Sequence, residues 1–411
     1  MSSFSRLLAA GGAAHFADQL ATAALPLTAV VVLGAGPGTV GTLVALQGLA
    51  WLLASLPAGV LVDRVPKGLL IALSQAVAGL AFAAATVAVT AGSGTALAAA
   101  CFIGASGAVI LVLTALALVP ALVPPTALAA ANARLELVRA VATLAAPVAV
   151  GLMADAVTPA LGFALAALAS AAAALVAFGL RAPPSPSPSP SPVPARAPLA
   201  DAIREGARFA LRHELLRGIA LCAVFWNFAF FALLAVAVPF CLTRVGLNAK
   251  GTGLAQGGYG LGLILGAAAA AAIVRRFEPR VILVAGPALS MAAPVLLFLA
   301  ARGGGLPAAA AAFFFVGFGP MLWLICQTSI RQLVTPPDLI GRVAATIQVA
   351  IYGVRPLGAF AGGWVGALFG LDAALVLVLA AFGLSLAVPL VSALGRPRAM
   401  PENVGLSPAG C

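Results

Sequence analysis

The sequence predicts an all-α membrane protein, with twelve transmembrane helices in two pseudo-symmetric six-helix bundles. Three observations carry this. The apolar residues fall into twelve runs, each long enough to cross a bilayer, which takes about 20 mostly apolar residues. The charge lies almost wholly between those runs: 63% of the 411 residues are hydrophobic and 8% are charged, with a mean hydropathy of +1.14. The two halves of the chain also carry matching proline-and-glycine segments. A water-soluble fold cannot bury so much apolar surface. In lipid the backbone must satisfy its own hydrogen bonds, which leaves helices or a closed barrel. The runs are too long, and too apolar on every face, for barrel strands.

Taken in order, the expected spans are 7–33, 39–61, 69–91, 95–119, 133–156 and 158–180, forming an N-terminal bundle over residues 1–180. The first follows Arg6 and has the look of a signal peptide. Eleven further spans follow it, so it is read as the first helix. Residues 181–213 are a linker, and spans 214–243, 249–274, 281–301, 306–330, 342–368 and 371–394 form a C-terminal bundle over 214–394, with 395–411 as a tail. Pro26, Pro57, Pro147, Pro239, Pro294 and Pro356 lie inside spans. Membrane helices tolerate such residues, and there they are expected to mark kinks beside a cavity.

In the linker, Pro183 to Pro194 is a Pro-Ser repeat suited to an extended polyproline II conformation. At about 3.1 Å per residue it reaches about 37 Å. Asp201 to Arg217 mixes charge with apolar residues at helical spacing, and is read as an amphipathic helix on the membrane surface leading into span seven. A plain tether is the competing reading.

Basic residues orient the chain. With both termini cytoplasmic, sixteen of the 22 Lys and Arg fall inside, and only Arg244, Lys250 and Arg302 fall outside. The remaining three, Arg134, Arg139 and Arg355, lie within or at the ends of spans. This is the positive-inside pattern. The net charge of +11 is therefore a topology signal, since no basic soluble face exists to bind nucleic acid. A cell membrane location follows, with lipid as the surrounding partner. Cys101, Cys222, Cys241, Cys326 and Cys411 are scattered without a C-x-x-C, so neither a metal site nor a disulfide framework is indicated. No G-x-x-x-x-G-K-S/T loop is present, which argues against ATP as the energy source. No cofactor is expected.

The halves look duplicated. Leu144-Ala-Ala-Pro147-Val-Ala-Val-Gly151 in span five is matched by Arg355-Pro356-Leu-Gly358 through Gly362-Gly363 in span eleven, the two prolines 209 residues apart. Such internal repeats are characteristic of transporters.

Ionisable residues inside a span are costly, and are usually functional or paired. Asp18 lies about 16 Å into span one at ~1.5 Å per residue, and His15 and Gln19 share its helical face. The group could carry a proton or serve as a structural hydrogen-bond cluster. Arg355 is at comparable depth in span eleven, and needs a partner or an anionic ligand. Asp18 is one candidate partner. Glu136 and Arg139 stand three apart in span five, as an intrahelical pair or as further coupling groups. Gln47 with Trp51, Trp226 with Asn227, and Trp323 with Gln327 are candidate cavity residues, since aromatic faces and a few amides suit a large amphipathic or cationic ligand. Helix packing is the alternative for each pair.

Between spans two and three runs Gly59-Val-Leu-Val-Asp63-Arg64-Val-Pro66-Lys67. Gly59 would admit a neighbouring helix, Asp63 could cap the positive end of a facing one, and Arg64 and Lys67 hold the loop at the cytoplasmic face. Here the chain resembles the major facilitator superfamily, which has a G-x-x-x-D-R-x-x-R/K loop in this place. The likeness extends over nearly the whole chain. Asp18-Gln19 before Ala24-Leu25-Pro26-Leu27, Leu56-Pro57-Ala58-Gly59, Ile330-Arg331-Gln332-Leu333-Val334 with Gly341-Arg342-Val343, and Pro356-Leu357-Gly358 resemble the branch of enterobactin and macrolide exporters. One Lys67 follows the Asp-Arg pair where two or more basic residues are usual, and Ala146 precedes Pro147 where antiporters of the family often have Gly. The resemblance implies that Asp63 latches onto Ile340, Gly341 and Arg342 when the outside is open.

The expected activity is therefore secondary active transport: proton-driven export of a hydrophobic or amphipathic small molecule by a monomer, with Asp18 first and Glu136 second as coupling residue. An importer of a small nutrient and a transport-inactive membrane sensor or scaffold are the rivals. No nucleophile–base or metal constellation suggests an enzyme.

Overall fold

The computed structural model describes residues 2–180, 199–336 and 339–401, apart from the side chains of 56, 63, 125, 129 and 199–203. Among these residues there are thirteen α-helices and no strand. The N-terminal bundle holds α1 (Ser3–Val31), α2 (Pro37–Arg64), α3 (Lys67–Thr90), α4 (Gly94–Leu122), α5 (Leu128–Ala156) and α6 (Leu161–Phe178). After α7 (Leu199–Arg212), the C-terminal bundle holds α8 (Glu214–Thr243), α9 (Ala249–Arg276), α10 (Pro279–Leu299), α11 (Gly305–Val334), α12 (Ile340–Phe369) and α13 (Leu371–Val391). Ten stretches are long and apolar enough to cross a membrane, and one of them, Pro279–Val334, comprises both α10 and α11. Helix α1 falls outside that set. His15, Asp18 and Gln19 interrupt its apolar middle. The protein is a multi-pass membrane protein with twelve membrane helices.

The helix ends follow local chemistry. Asn248 caps α9, its Oδ1 accepting from the Gly251 N–H at 2.8 Å, and Pro37 opens α2, where its missing N–H costs nothing. Turns at the end of the molecule away from α7 (the far end) use glycine in the left-handed region: Gly34, Gly92, Gly246, Gly303, Gly305 and Gly370 all have positive φ. A side chain would strain these turns. At the opposite, linker end the turns are built with proline or charge, as at Pro66 and at Glu278 before Pro279.

The pairing of helices repeats between the bundles. In the first, α3 packs on α4 and α6, α1 on α5 and α6, and α2 on α4. In the second, α10 packs on α11 and α13, α8 on α12 and α13, and α9 on α11. Each pair in one list is the other's counterpart under the shift α1 to α8. The bundles meet through α2 with α12 and α5 with α9, which exchange under the same shift.

Glycines let the bundles touch. A Cβ on Gly41 of α2 would lie 2.6 Å from the Cα of Gly363 in α12. One on Gly253 of α9 would lie 2.3 Å from the carbonyl of Pro147 in α5, and one on Gly260 would lie 2.3 Å from Leu144 N. No side chain fits there, and small residues are what close helix approach in lipid requires. The Gly41, Gly363 and Gly253 contacts lie toward the far end, where Asn248 Nδ2 also donates to Asp155 Oδ1 at 2.9 Å across the interface. At the linker end the helices splay: a Cβ on Gly59 or on Gly341 would meet nothing within 4 Å. The expected close approach at Gly59 is thus absent in this conformation.

Helix α7 lies against the start of α12. Its Phe209 and Ala210 pack with Leu339 and Val343, and a Cβ on Gly206 would sit 2.8 Å from the Arg342 backbone. Glu205 pairs with Arg342. The expected amphipathic run to Arg217 is interrupted at His213, where extended backbone turns the chain into the membrane. Burial holds the His213 imidazole below its usual pKa, with Glu214 opposing. The Pro-Ser repeat lies outside the described residues.

Candidate functional site

Helices α8, α9, α10, α11 and α12 enclose a cavity of about 250 Å³ in the linker-side half of the C-terminal bundle. This is just below the ~300–1,000 Å³ common for small-molecule sites. Trp226, Asn227, Trp323, Gln327 and Arg355 all line it, together with Tyr259. The helices bring them together by simple spacing. Trp226 and Asn227 are adjacent on α8, Trp323 and Gln327 stand one turn apart on α11, and Arg355 comes from the middle of α12. Pro287 and Pro320, each inside a helix, form part of the wall.

Arg355 is fixed in this wall. Its Nε donates to Asn227 Oδ1 at 3.0 Å, and Asn227 in turn donates to the Ala223 carbonyl at 2.9 Å. The guanidinium lies 4.8 Å from the Tyr352 ring centroid and 5.2 Å from that of Phe231. These contacts orient a cation without neutralising it. Trp226 donates to Ser290 Oγ at 2.9 Å and stacks on Phe230 at 4.9 Å. Two groups of the wall are buried with no hydrogen-bond partner among the described residues, Trp323 Nε1 and Gln327 Oε1.

The N-terminal bundle contributes the other cluster. Asp18 is buried, with the Gln19 amide 3.5 Å from its carboxylate. Arg139 and Glu136 stand 3.5 Å apart, and each side chain is more than half exposed. The suggested Asp18–Arg355 pair does not form. Among the described residues the four ion pairs are Arg139–Glu136, Arg244–Asp372, Arg280–Glu278 and Arg342–Glu205.

Other expected residues lie elsewhere. Gln47 and Trp51 are outside the cavity. Gln47 donates to Thr22 Oγ1 at 3.1 Å, tying α2 to α1, and Trp51 packs on Tyr352 at 5.5 Å, tying α2 to α12. Gln19 also lies outside it and faces Asp18. Within the loop motif, Arg64 ends α2 and Lys67 begins α3. The Asp63 side chain lies outside the described residues, and Arg342, its expected partner, is engaged by Glu205. Sequence reading missed Tyr259 and Gln348, both in the cavity wall. Tyrosine was the available signal: the chain has two, one against Arg355 and the other in the same cavity wall.

A family model described as Major Facilitator Superfamily matches residues 7–359. No curated protein matches the sequence. Among solved structures, a POT family transporter in complex with 5-aminolevulinic acid is similar with a TM-score of 0.74 at 13% identity, covering 95% of this chain and 96% of that one. The nucleoside transporter NupG aligns with a TM-score of 0.75 at 11% identity over 94% and 97% of the two chains. A D-xylose–proton symporter aligns with 0.69 at 14% over 93% and 96%. At such identities the likeness is one of fold.

Proposed function

The chain belongs to the major facilitator superfamily, and from that premise we propose that this membrane transporter uses the proton gradient to export a hydrophobic or amphipathic small molecule from the cell. One observation carries the reading. Each bundle buries ionisable groups, Asp18 in the first and Arg355 beside the cavity of the second, and the seam between the bundles is packed through Gly41, Gly363 and Gly253 toward the far end, whereas Gly59 and Gly341 toward the linker end meet nothing within 4 Å. Basic residues concentrate at the linker end, so that end is taken as cytoplasmic, in the cell membrane, and the conformation as inward-facing. Alternating access then consists of one bundle rocking on the other about the Arg355 cavity.

In this reading Asp18 carries the coupling proton. It is a buried carboxylate with one weak amide contact from Gln19, so its charge responds to any movement of the groups packed around it. His15 and Arg139 set its surroundings, and Glu136, more than half exposed, exchanges protons with the cytoplasm. The direction of transport rests on the likeness of the Asp18-Gln19, Gly59–Arg64 and Pro356–Gly363 stretches to the exporter branch.

The test is flux in proteoliposomes with an imposed pH gradient, following lumenal pH during addition of macrolides, siderophores, lipophilic cations and aryl acids. Substrate-dependent proton movement that falls at least tenfold in Asp18→Asn is the expected result. Unchanged proton-dependent transport in that variant would remove Asp18 from the mechanism. Uptake driven toward the cytoplasm would reverse the direction.

A further inference from the structure

Resting on the reading of this cavity as the transport site, we infer that its substrate is a small organic acid: an ionised carboxylate on an apolar or aromatic body, bound through Arg355.

The argument begins with what Arg355 lacks. Its Nε is used by Asn227 and its Cζ lies over the Tyr352 and Phe231 rings, yet its two terminal nitrogens have no hydrogen-bond or ion-pair partner among the described residues. A guanidinium is always charged, and its two terminal nitrogens match a planar carboxylate. Placing such a group in a membrane interior without a counter-ion is costly. Among the described residues, the charged ones that line the cavity are Arg331 and Arg355, and no Asp or Glu joins them. Asp18 is held in the other bundle and makes no ion pair with Arg355. The lining is thus electropositive, and the carboxylate of a ligand would supply its counter-charge.

The rest of the wall suits the body of that ligand. Trp226 and Tyr259 supply aromatic faces, and about 250 Å³ admits a single ring with a short acid arm rather than a macrocycle. The unpartnered Trp323 N–H and Gln327 carbonyl belong to side chains of the same wall. A polar substituent on the ring, reached by a rotamer change, would satisfy them. A lipophilic cation meets none of these needs, and it would be repelled by Arg355.

The test is binding to the purified full-length protein in nanodiscs, read by tryptophan fluorescence, since two of the chain's four tryptophans line the cavity. The probes are hydroxyaryl carboxylates such as 4-hydroxyphenylacetate and salicylate, each beside its neutral amide and the amine of the same skeleton. The acid is expected to bind at least tenfold more tightly than its amide. Arg355→Gln should bring the acid down to the amide's level and leave the amide unchanged, while Arg355→Lys keeps part of the preference. If Arg355→Gln loses its monodisperse peak, the Lys variant and the acid-to-amide ratio of the unmodified protein decide.

Equal or tighter binding of amide or amine overturns the inference, as does the absence of binding by every acid or an acid preference indifferent to Arg355. The outcomes also separate this inference from the transport reading. Arg355-dependent acid binding without proton-coupled flux leaves it standing and removes the coupling. Proton-driven flux of a cation, insensitive to Arg355, does the reverse.

Discussion

Asn227 is the residue on which the site's electrostatics turn, because its Oδ1 is the one hydrogen-bond acceptor Arg355 has among the described residues. Replacing that amide with a carboxylate puts a counter-ion where the substrate's acid group is expected to supply one. Asn227→Asp is therefore predicted to weaken acid binding at least tenfold while leaving the unfolding temperature near that of the parent, because the ion pair gained by a buried cation offsets the lost bond to the Ala223 carbonyl. Titration of 4-hydroxyphenylacetate beside a thermal melt checks both halves. An ordinary loss of packing would lower binding and stability together. Sequence alone placed Arg355, Trp226, Asn227, Trp323 and Gln327 as candidates, because polar and aromatic side chains stand out against Leu and Ala. The same contrast marked Gln47 and Trp51, whose amide and ring are used in helix-to-helix contacts. Composition shows that a group is polar, but only packing shows whether its hydrogen bonds are already made.

Helices α7 and α12 pose the question of what holds the linker end open. Glu205 and Arg342 are both partly exposed, and an exposed ion pair is worth ~0–1 kcal/mol. Glu205→Gln should shift the balance of conformations by at most about fivefold, well short of abolishing either. Phe209 and Ala210 pack into a buried cluster, so Phe209→Ala should release α7 more fully than loss of the ion pair. Spin-label distances from α7 to α12 test the order of the two effects. The amphipathic pattern announced this helix, whereas its seat did not show in the pattern. The seat depends on Gly206, where the Arg342 backbone leaves no room for a Cβ. Tight contact also seals the far end. Gly253→Val forces a side chain against the Pro147 carbonyl, which a Cβ alone would approach to 2.3 Å. Labels at Asp155→Cys and Lys250→Cys should report a longer, broader distance in that variant, as α5 and α9 are wedged apart.

At the scale of the molecule, the two bundles repeat one another and their seams are exchanged by that repeat, so a second state can be built from contacts already present in kind. Helix α2 carries Gly41 toward its far end and Gly59 toward its linker end, and α12 carries Gly363 and Gly341 in the corresponding places. In this conformation the far pair is in backbone contact and the linker pair faces open space. Rocking that opens the far end would bring Gly59 and Gly341 into the role Gly41 and Gly363 now hold. The twelve spans and their duplication were legible because lipid imposes length and hydropathy on the sequence. Which end is closed was not, since glycine marks both ends of both helices and the choice between them is a small free-energy difference spread over many contacts. The asymmetry is testable. Gly59→Leu and Gly341→Leu add side chains into open space, and leucine is a better helix former than glycine by up to about 1 kcal/mol, so neither should impair folding or binding in nanodiscs. Both should block closure of the linker end, and lower proteoliposome flux at least tenfold. Unchanged flux in the double variant would mean that the helices close by another route, and that these glycines serve only the helix backbone.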